Sequence, residues 1–557
     1  MHLRALVFVC ALTCTTLLGA ASSKVSPELL AMSSAGPVEV IVQYRVVPTD
    51  AHHELVARMG GRLLRTLEVI RAAHYQMPAD AIQRLAAEPD VTYISLDRPI
   101  RGMLDITTQT VHSDTALQSG YDGTGIGVAV IDSGVHNSNN FNYKKSDALV
   151  YSESFVPGDT NTSDEYGHGT HVAGIMASSA DKTSYLGVAP ATKIISLKVL
   201  NGSGSGTDSS VIAAISRAIQ LAAQYNIRVI NLSLGRPVFE PAAQDPLCQA
   251  VEAAWRAGIV VVVAAGNDGR DNSVGTNGYG TITAPGNDPL VITVGAMKTM
   301  GTPTRSDDLI ASYSSKGPTL FDHYVKPDLV APGNLVVSVM EGGLLTNQYP
   351  QNVLKSGFFR MSGTSVAAPV VSGTVALMLQ KTPTLTPDTI KARLMKTATK
   401  GFPAFSTVTD TTTGIAYTSQ YDIFTIGAGY LDSWAALNDA DTATGIAASP
   451  VATYDKSTGS VYVINANTAL WGSTALWGST ALWGSTAIWG SSVWINSSTA
   501  LWGSTALWGS TALWGSGTPT PSNTVAGFTA VWGSTALWGS STADATESIN
   551  IAINGEN

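Results

Sequence analysis

Gly357-Phe-Phe-Arg-Met-Ser-Gly363-Thr-Ser365-Val-Ala-Ala-Pro369 is the stretch on which the reading of this chain turns. It predicts a loop that bends sharply into an apolar helix running to about Gln380, with Ser365 where the helix begins. At such a position the first backbone N–H groups have no partner within the helix, and the positive end of its dipole favours a developing anion. A serine hydroxyl must lose its proton during attack, so a nucleophilic Ser365 needs a histidine to take that proton. The histidine in turn needs a carboxylate to orient it.

Both are found upstream. Gly125-Ile-Gly-Val-Ala-Val-Ile-Asp132-Ser-Gly134 is an apolar run that ends in a carboxylate, which predicts a buried parallel strand with Asp132 at its carboxyl end. Gly167-His168-Gly-Thr-His171-Val-Ala-Gly174 puts a histidine at the start of a second helix. Asp132-Ser-Gly, His168-Gly-Thr-His and Gly-Thr-Ser365, in that order, resemble the subtilisin-like serine proteases, or subtilases. The resemblance implies a secreted endopeptidase in which Ser365 is the nucleophile, His168 the base and Asp132 its orienter.

It extends to Val261-Val-Val-Ala-Ala-Gly-Asn267-Asp-Gly, an apolar run ending in an amide. In the family that amide donates to the oxyanion of the tetrahedral intermediate, and losing one such donor costs about 3 kcal/mol, a magnitude taken from the subtilisins themselves. Ser233-Leu234-Gly235 resembles the family's strand that pairs with the substrate backbone, and Asn201-Gly202-Ser203-Gly204 the strand that brackets it from the other side. Glycine there lets a peptide approach as an added strand, so the implied substrate is a polypeptide recognised mainly through its backbone.

Departures from the family are also legible. Val366 stands where subtilisins proper have methionine, which predicts an active site less open to peroxide. The loop Ser178 to Gly187 occupies the place of a family calcium loop, but it pairs Asp181 with Lys182 and lacks the asparagine pattern. Structural calcium is therefore left unassigned, and the chemistry itself requires no cofactor or metal. His171 and Asp328 are expected to be structural.

The chain has 557 residues, too many for one compact domain, with 44% hydrophobic and only 13% charged residues. A net charge of −9 gives no reason to expect nucleic acid as a partner. Residues 1–21 carry Arg4, an apolar run and small residues Gly19-Ala-Ala, the pattern of a secretory signal peptide. The implied location is secreted or cell-surface associated. Cys10 and Cys14 lie in that leader, so Cys248 is left alone and is expected as a small buried residue.

Residues 36–101 follow a β-α-β-β-α-β pattern, ferredoxin-like in order, with Asp50 as the possible cap of its first helix. In position and pattern this unit resembles the subtilase propeptide, which implies a folding assistant and intramolecular inhibitor. Its cleavage is expected between Arg101 and Val111.

Residues 112–440 alternate strand-like and helical runs, which predicts a subtilisin-like α/β domain: a parallel sheet with helices on both faces and its site beyond the carboxyl ends of the strands. The strands are expected at Gly127–Ile131, Lys193–Val199, Val229–Ser233, Ile259–Ala264 and Leu290–Val294. A linker, 441–467, leads to a tail, 468–557, built on a Thr-Ala-Leu-Trp-Gly-Ser hexapeptide with Trp471, Trp477, Trp483 and Trp489 six apart. Six is even, so on a continuous strand every tryptophan would face one side. Ordered β-structure and a low-complexity tail without fixed fold both remain open. Evenly spaced tryptophans suit stacking on cell-wall or other glycan, or self-association. A different function class follows from that: a surface or matrix binding protein whose tail carries the main role.

Overall fold

The computed structural model describes residues 24–26, 29–30, 36–97, 103–179, 185–273, 275–354, 357–410, 413–455, 460–464, 493–495 and 552–556. The signal-peptide segment, the loop residues Asp181 and Lys182, and nearly all of the tryptophan repeat lie outside them. So do the readings made there, namely the leader, the middle of the calcium loop, and the fold of the hexapeptide repeat. The chain divides between Ile100 and Arg101 into two units.

In the first unit, β1 (Pro37–Tyr44) alternates buried Val38, Val40 and Val42 with more exposed neighbours, as a strand with one covered face does. α1 (Asp50–Arg58) follows, and its cap is Thr49, not Asp50. Thr49 is extended and its hydroxyl pairs with His52 Nδ1 at 2.9 Å, while Asp50 sits inside the first turn, where its charge meets the positive end of the helix. Then come β2 (Arg62–Leu67), β3 (Ala72–Pro78), α2 (Ile82–Ala86) and β4 (Val91–Leu96). The four strands form an antiparallel sheet in the order β2-β3-β1-β4 around a core of its own.

The second unit opens with α3 (Met103–Thr110). Its sheet is built from β5 (Gly127–Asp132), β6 (Leu149–Ser154), β7 (Lys193–Lys198), β8 (Ile227–Leu232), β9 (Val260–Ala264), β10 (Ile292–Lys298), β11 (Leu309–Ile310) and β12 (Leu329–Pro332). The order is β11-β10-β9-β8-β5-β7-β6, with β12 beside β10. Every pairing is parallel except that of β10 with β11. β5, β9 and β10 are buried at every residue, as strands covered on both faces must be, and this is why Val260–Ala264 is a continuous apolar run and the other two are mostly apolar. β6, not anticipated from the sequence, lies at the sheet edge and is only half-buried, so its mixed Leu-Val-Tyr-Ser-Glu-Ser carries no such signal.

Helices α4 (His168–Ala177), α5 (Asp208–Tyr225), α6 (Pro246–Arg256) and α7 (Thr364–Lys381) agree within a residue or two with the helical runs that the sequence predicts at His168–Ser178, Ser209–Tyr225, Pro246–Ala257 and Ser365–Gln380. α4 packs on α7 and α5 on α6, and α5, α6 and α7 cover the sheet. α7 is buried nearly all round, which explains why its sequence has no polar face. Before it, β13 (Val336–Val339) pairs antiparallel with β14 (Phe358–Met361), which delivers the chain to the α7 turn. Further along the chain, β15 (Val451–Asp455), β16 (Ser460–Ile464) and β17 (Val493–Ile495) form a small antiparallel sheet.

Val262 in β9 is fully buried within this core. Val262→Ala is expected to cost about 2 kcal/mol, from the lost methyl groups and the cavity they leave. A lower urea midpoint with unchanged slope is the readout.

Candidate active site

β5, β8 and β9 are adjacent parallel strands, so their carboxyl ends lie along one edge. Asp132 closes β5, Ser233 follows β8 and Asn267 follows β9. The α4 and α7 amino termini meet them there. His168, Asn267, Ser233 and Ser365 all line one cleft of about 550 Å³.

Asp132 is only 1% exposed. Its Oδ1 accepts a hydrogen bond from His168 Nδ1 at 2.7 Å and another from the Ser133 N–H at 2.7 Å. A carboxylate oxygen only accepts, so the imidazole proton is on Nδ1 and Nε2 is left able to receive one. Burial pulls the His168 pKa down, but Asp132, by charge and by hydrogen bond, and then Asp164 push it up, and the net position is above the ordinary 6.5.

Asp164 is a residue the sequence reading did not pick out. It is buried and its two oxygens accept from Ser133 Oγ at 2.8 Å, the Gly167 N–H at 2.7 Å, the Thr170 N–H at 2.8 Å and Thr170 Oγ1 at 2.6 Å. It thereby caps the start of α4 and ties it to the turn after Asp132. Burial holds its own pKa above the usual carboxylate value despite those four donors. The one signal in the sequence was an acid three residues before Gly167, a common helix-start spacing.

Gly363 precedes α7 with φ at +146°. A Cβ there would stand 2.9 Å from Ser365 Oγ and 3.4 Å from Asn267 Nδ2, so these two atoms border one small open space. Asn267 is held in that orientation by Thr364, whose N–H and hydroxyl donate to Asn267 Oδ1 at 2.9 and 3.1 Å. The amide nitrogen is thus the atom turned toward Ser365 Oγ, next to the amino terminus of α7, which has no side-chain cap of its own.

Ser233, Leu234, Gly235 and Gly204 line the cleft. Ser233 does more than offer backbone: its hydroxyl donates to the Ser365 carbonyl at 2.7 Å and accepts from Asn231 at 2.9 Å. Gly204, at φ +78°, lies so close to the Tyr166 ring that a Cβ would approach within 2.7 Å. Gly202 is not among the lining residues; it faces Glu165, and Ser205 and Gly206 stand at the wall in its place.

Residues 123–416 match the subtilase family of peptidases. Over 390 residues the chain is 34% identical to serine protease AprX of Bacillus subtilis (strain 168), covering 65% of this chain and 83% of that protein. It is 38% identical over 289 residues to subtilisin DY of Bacillus licheniformis, covering 52% of this chain and 89% of that one. Subtilisin E of Bacillus subtilis (strain 168) is 34% identical over 355 residues, with 62% and 80% covered. The chain belongs to the subtilase family. It is a serine endopeptidase with the α/β fold of that family.

Other polar groups in this subtilase belong to its scaffold. His171 is buried, its Nε2 is 3.1 Å from the Phe359 carbonyl, and burial followed by the nearby His168 brings its pKa down to about 3, so it stays neutral. Asp328 is buried between Lys326 at 2.7 Å and Lys391 at 3.0 Å, bracing β12. Cys248 is buried, its thiol faces Asn287 at 3.3 Å, and burial raises its pKa, so it is not a reactive thiolate. Among the described residues, one group could bring three metal-binding atoms together: Glu39, His74 and Asp97 in the first unit. Its imidazole does not suit calcium, which takes oxygen ligands. In the second unit the acids Asp159 and Glu165 are paired with buried Lys198 at 3.0 and 3.2 Å.

Asp164→Asn keeps the shape but removes a charge and misorients one acceptor. It is expected to lower kcat about tenfold or more, with KM little changed. The charge of Asp164 helps raise the His168 pKa, so the acidic limb of the pH–kcat/KM profile should also move to lower pH. A profile that stays in place would assign Asp164 a purely structural role.

Proposed function

We propose that Ser365, His168, Asp132 and Asn267 are the catalytic machinery of this subtilase, acting on a peptide bond through an acyl-enzyme. The observation that carries the reading is the 2.7 Å bond to buried Asp132 from His168, which lines the same cleft as Ser365. Ser365 Oγ attacks the carbonyl carbon and its proton passes to His168 Nε2. The imidazolium so formed is stabilised by Asp132 through Nδ1–H. The oxyanion takes hydrogen bonds from Asn267 Nδ2 and the Ser365 N–H. Collapse breaks the C–N bond, and His168 gives its proton to the leaving amine. Water then repeats the sequence on the ester and frees Ser365. The substrate backbone pairs with Ser233–Gly235 on one side and the Gly204 segment on the other.

The precursor reading belongs to the same proposal. Residues 36–101 are its inhibitory propeptide and folding assistant, and the β2-β3-β1-β4 order with β-α-β-β-α-β connection supports a ferredoxin-like unit in that role. Ile106, Thr107 and Val111 are buried in the second unit, which supports a processing bond on their amino-terminal side. The leader at 1–21 makes the mature enzyme a secreted one.

Labelling with a fluorophosphonate probe tests the nucleophile. The wild type should label and Ser365→Ala should not; equal labelling of both overturns the assignment. Asn267→Ala should lower kcat by about 10²- to 10³-fold with KM nearly unchanged, since the lost donor acts only on the transition state. The base must be neutral to act, and its pKa is raised, so kcat/KM should fall as pH drops and reach half its plateau above pH 6.5. With Val366 beside the nucleophile, the thioether of the cleft wall is Met361, 1% exposed. Peroxide should therefore inactivate slowly, with mass spectrometry finding any oxidation in the cleft at Met361.

A further inference from the structure

The segment Ala552–Glu556 follows the tryptophan repeat, and no reading of the repeat gave it a role. Ile553 is 2% exposed and belongs to the core of the second unit. Ala552 and Ile553 line the same cleft as His168 and Ser365. The segment's backbone is bound at both ends: the Ser362 N–H donates to the Ala552 carbonyl at 2.8 Å, and Asn352 Nδ2 donates to the Ile553 carbonyl. At Glu556, Asn334 closes a two-bond pair, with Nδ2 donating to the carbonyl at 2.7 Å and Oδ1 accepting from the N–H at 2.8 Å.

The Glu556 side chain enters a built carboxylate receptor. It is 1% exposed, with Arg270 at 2.7 Å and Lys298 at 3.6 Å, and those side chains are 6% and 3% exposed. The Ser312 N–H adds a bond at 2.9 Å and its hydroxyl another. A carboxylate withdrawn this far from water is tolerated only with charge and hydrogen bonds in place, and here both are. Gly555 has φ +61°, and a Cβ on it would collide with Leu335 Cδ2 at 2.5 Å and Ser362 Oγ at 2.6 Å. Asn554 is exposed. The cradle therefore reads Ile-x-Gly-Glu: an apolar pocket, a position facing solvent, a glycine in the left-handed region and an acid.

We propose that the catalytic unit carries a docking site for its own segment Ala552–Glu556, and that the docked segment completes a wall of the substrate cleft. Ser362 joins the two functions. It holds Ala552 through its N–H and stands immediately before Gly363 at the nucleophile turn. The chain just before the repeat is also fixed to this unit, where the Val325 N–H donates to the Pro450 carbonyl at 2.8 Å and the Ala452 N–H to the His323 carbonyl at 2.8 Å. Described residues on both sides of the tryptophan hexads are thus held by this unit. The docking stands independently of the catalytic assignment; its effect on cleavage rests on Ser365 being the nucleophile.

The test begins with a site-specific protease recognition sequence placed between Gly517 and Asn523 in a Ser365→Ala chain. After cutting, the fragment bearing 552–557 should stay with the catalytic unit through gel filtration, and Glu556→Gln should release it. Release of the wild-type fragment overturns the proposal. Separately, removing 552–557 from the active chain should change kcat/KM on peptide substrates at least tenfold. A synthetic peptide of residues 552–557 should restore it, and the same peptide carrying Glu556→Gln should need at least tenfold higher concentration. Unchanged kinetics in a truncated enzyme that still labels with fluorophosphonate would reject the cleft-wall role. Retention of the fragment alongside failed labelling of the wild-type chain would instead fault the assignment of Ser365.

Discussion

A carboxylate taken almost wholly out of water is the constraint around which this site is arranged. Asp132 at the end of β5 is 1% exposed, and such a group persists only where donors surround it. His168 and Ser133 supply them, and Asp164 then binds Ser133 and the first turn of α4 together. The imidazole has little freedom to turn, because its helix is held to the strand that carries its partner. Close packing tightens this further: a Cβ on Gly169 would meet the Gly134 carbonyl at 2.2 Å.

The Ser365 side of the cleft is fixed by different forces. α7 is apolar all round and buried among β8, β9, β10 and α4, so its axis is set by packing. Its first turn is adjusted by polar contacts, from Ser233 to the Ser365 carbonyl and from Thr364 to Asn267. Packing places a helix; hydrogen bonds at its end decide which atoms face the cleft. The segment Ala552–Glu556 uses the same two devices, with Ile553 in the core and Glu556 among cations. It contacts the chain at Ser362, three residues before Ser365.

Much of the fold was legible because the sheet is parallel and covered. Strands such as Val260–Ala264 are apolar throughout, and helices such as Pro246–Arg256 start and stop with recognisable residues, so period and punctuation agree. The edge strand Leu149–Ser154 was not legible, since half-burial leaves a mixed composition. The cap of α1 was misplaced by one residue, because Thr49 and Asp50 are both good caps and only backbone geometry separates them. Gly202 and Gly204 looked equivalent as letters, yet only Gly204 reaches the cleft wall.

By itself the sequence determined the family, the order Asp132, His168, Ser365, the Asn267 strand end and the chemistry that these residue types permit. It could do so because those residues sit in short local patterns whose flanking glycines and apolar runs are themselves diagnostic. Tertiary structure alone decided that Asp164 braces His168, that Thr364 orients the Asn267 amide, and that Glu556 comes to rest between Arg270 and Lys298. These contacts join residues with no shared period or motif. A buried charge finds its partners by proximity in the folded chain, and proximity of that kind leaves no mark on the letters.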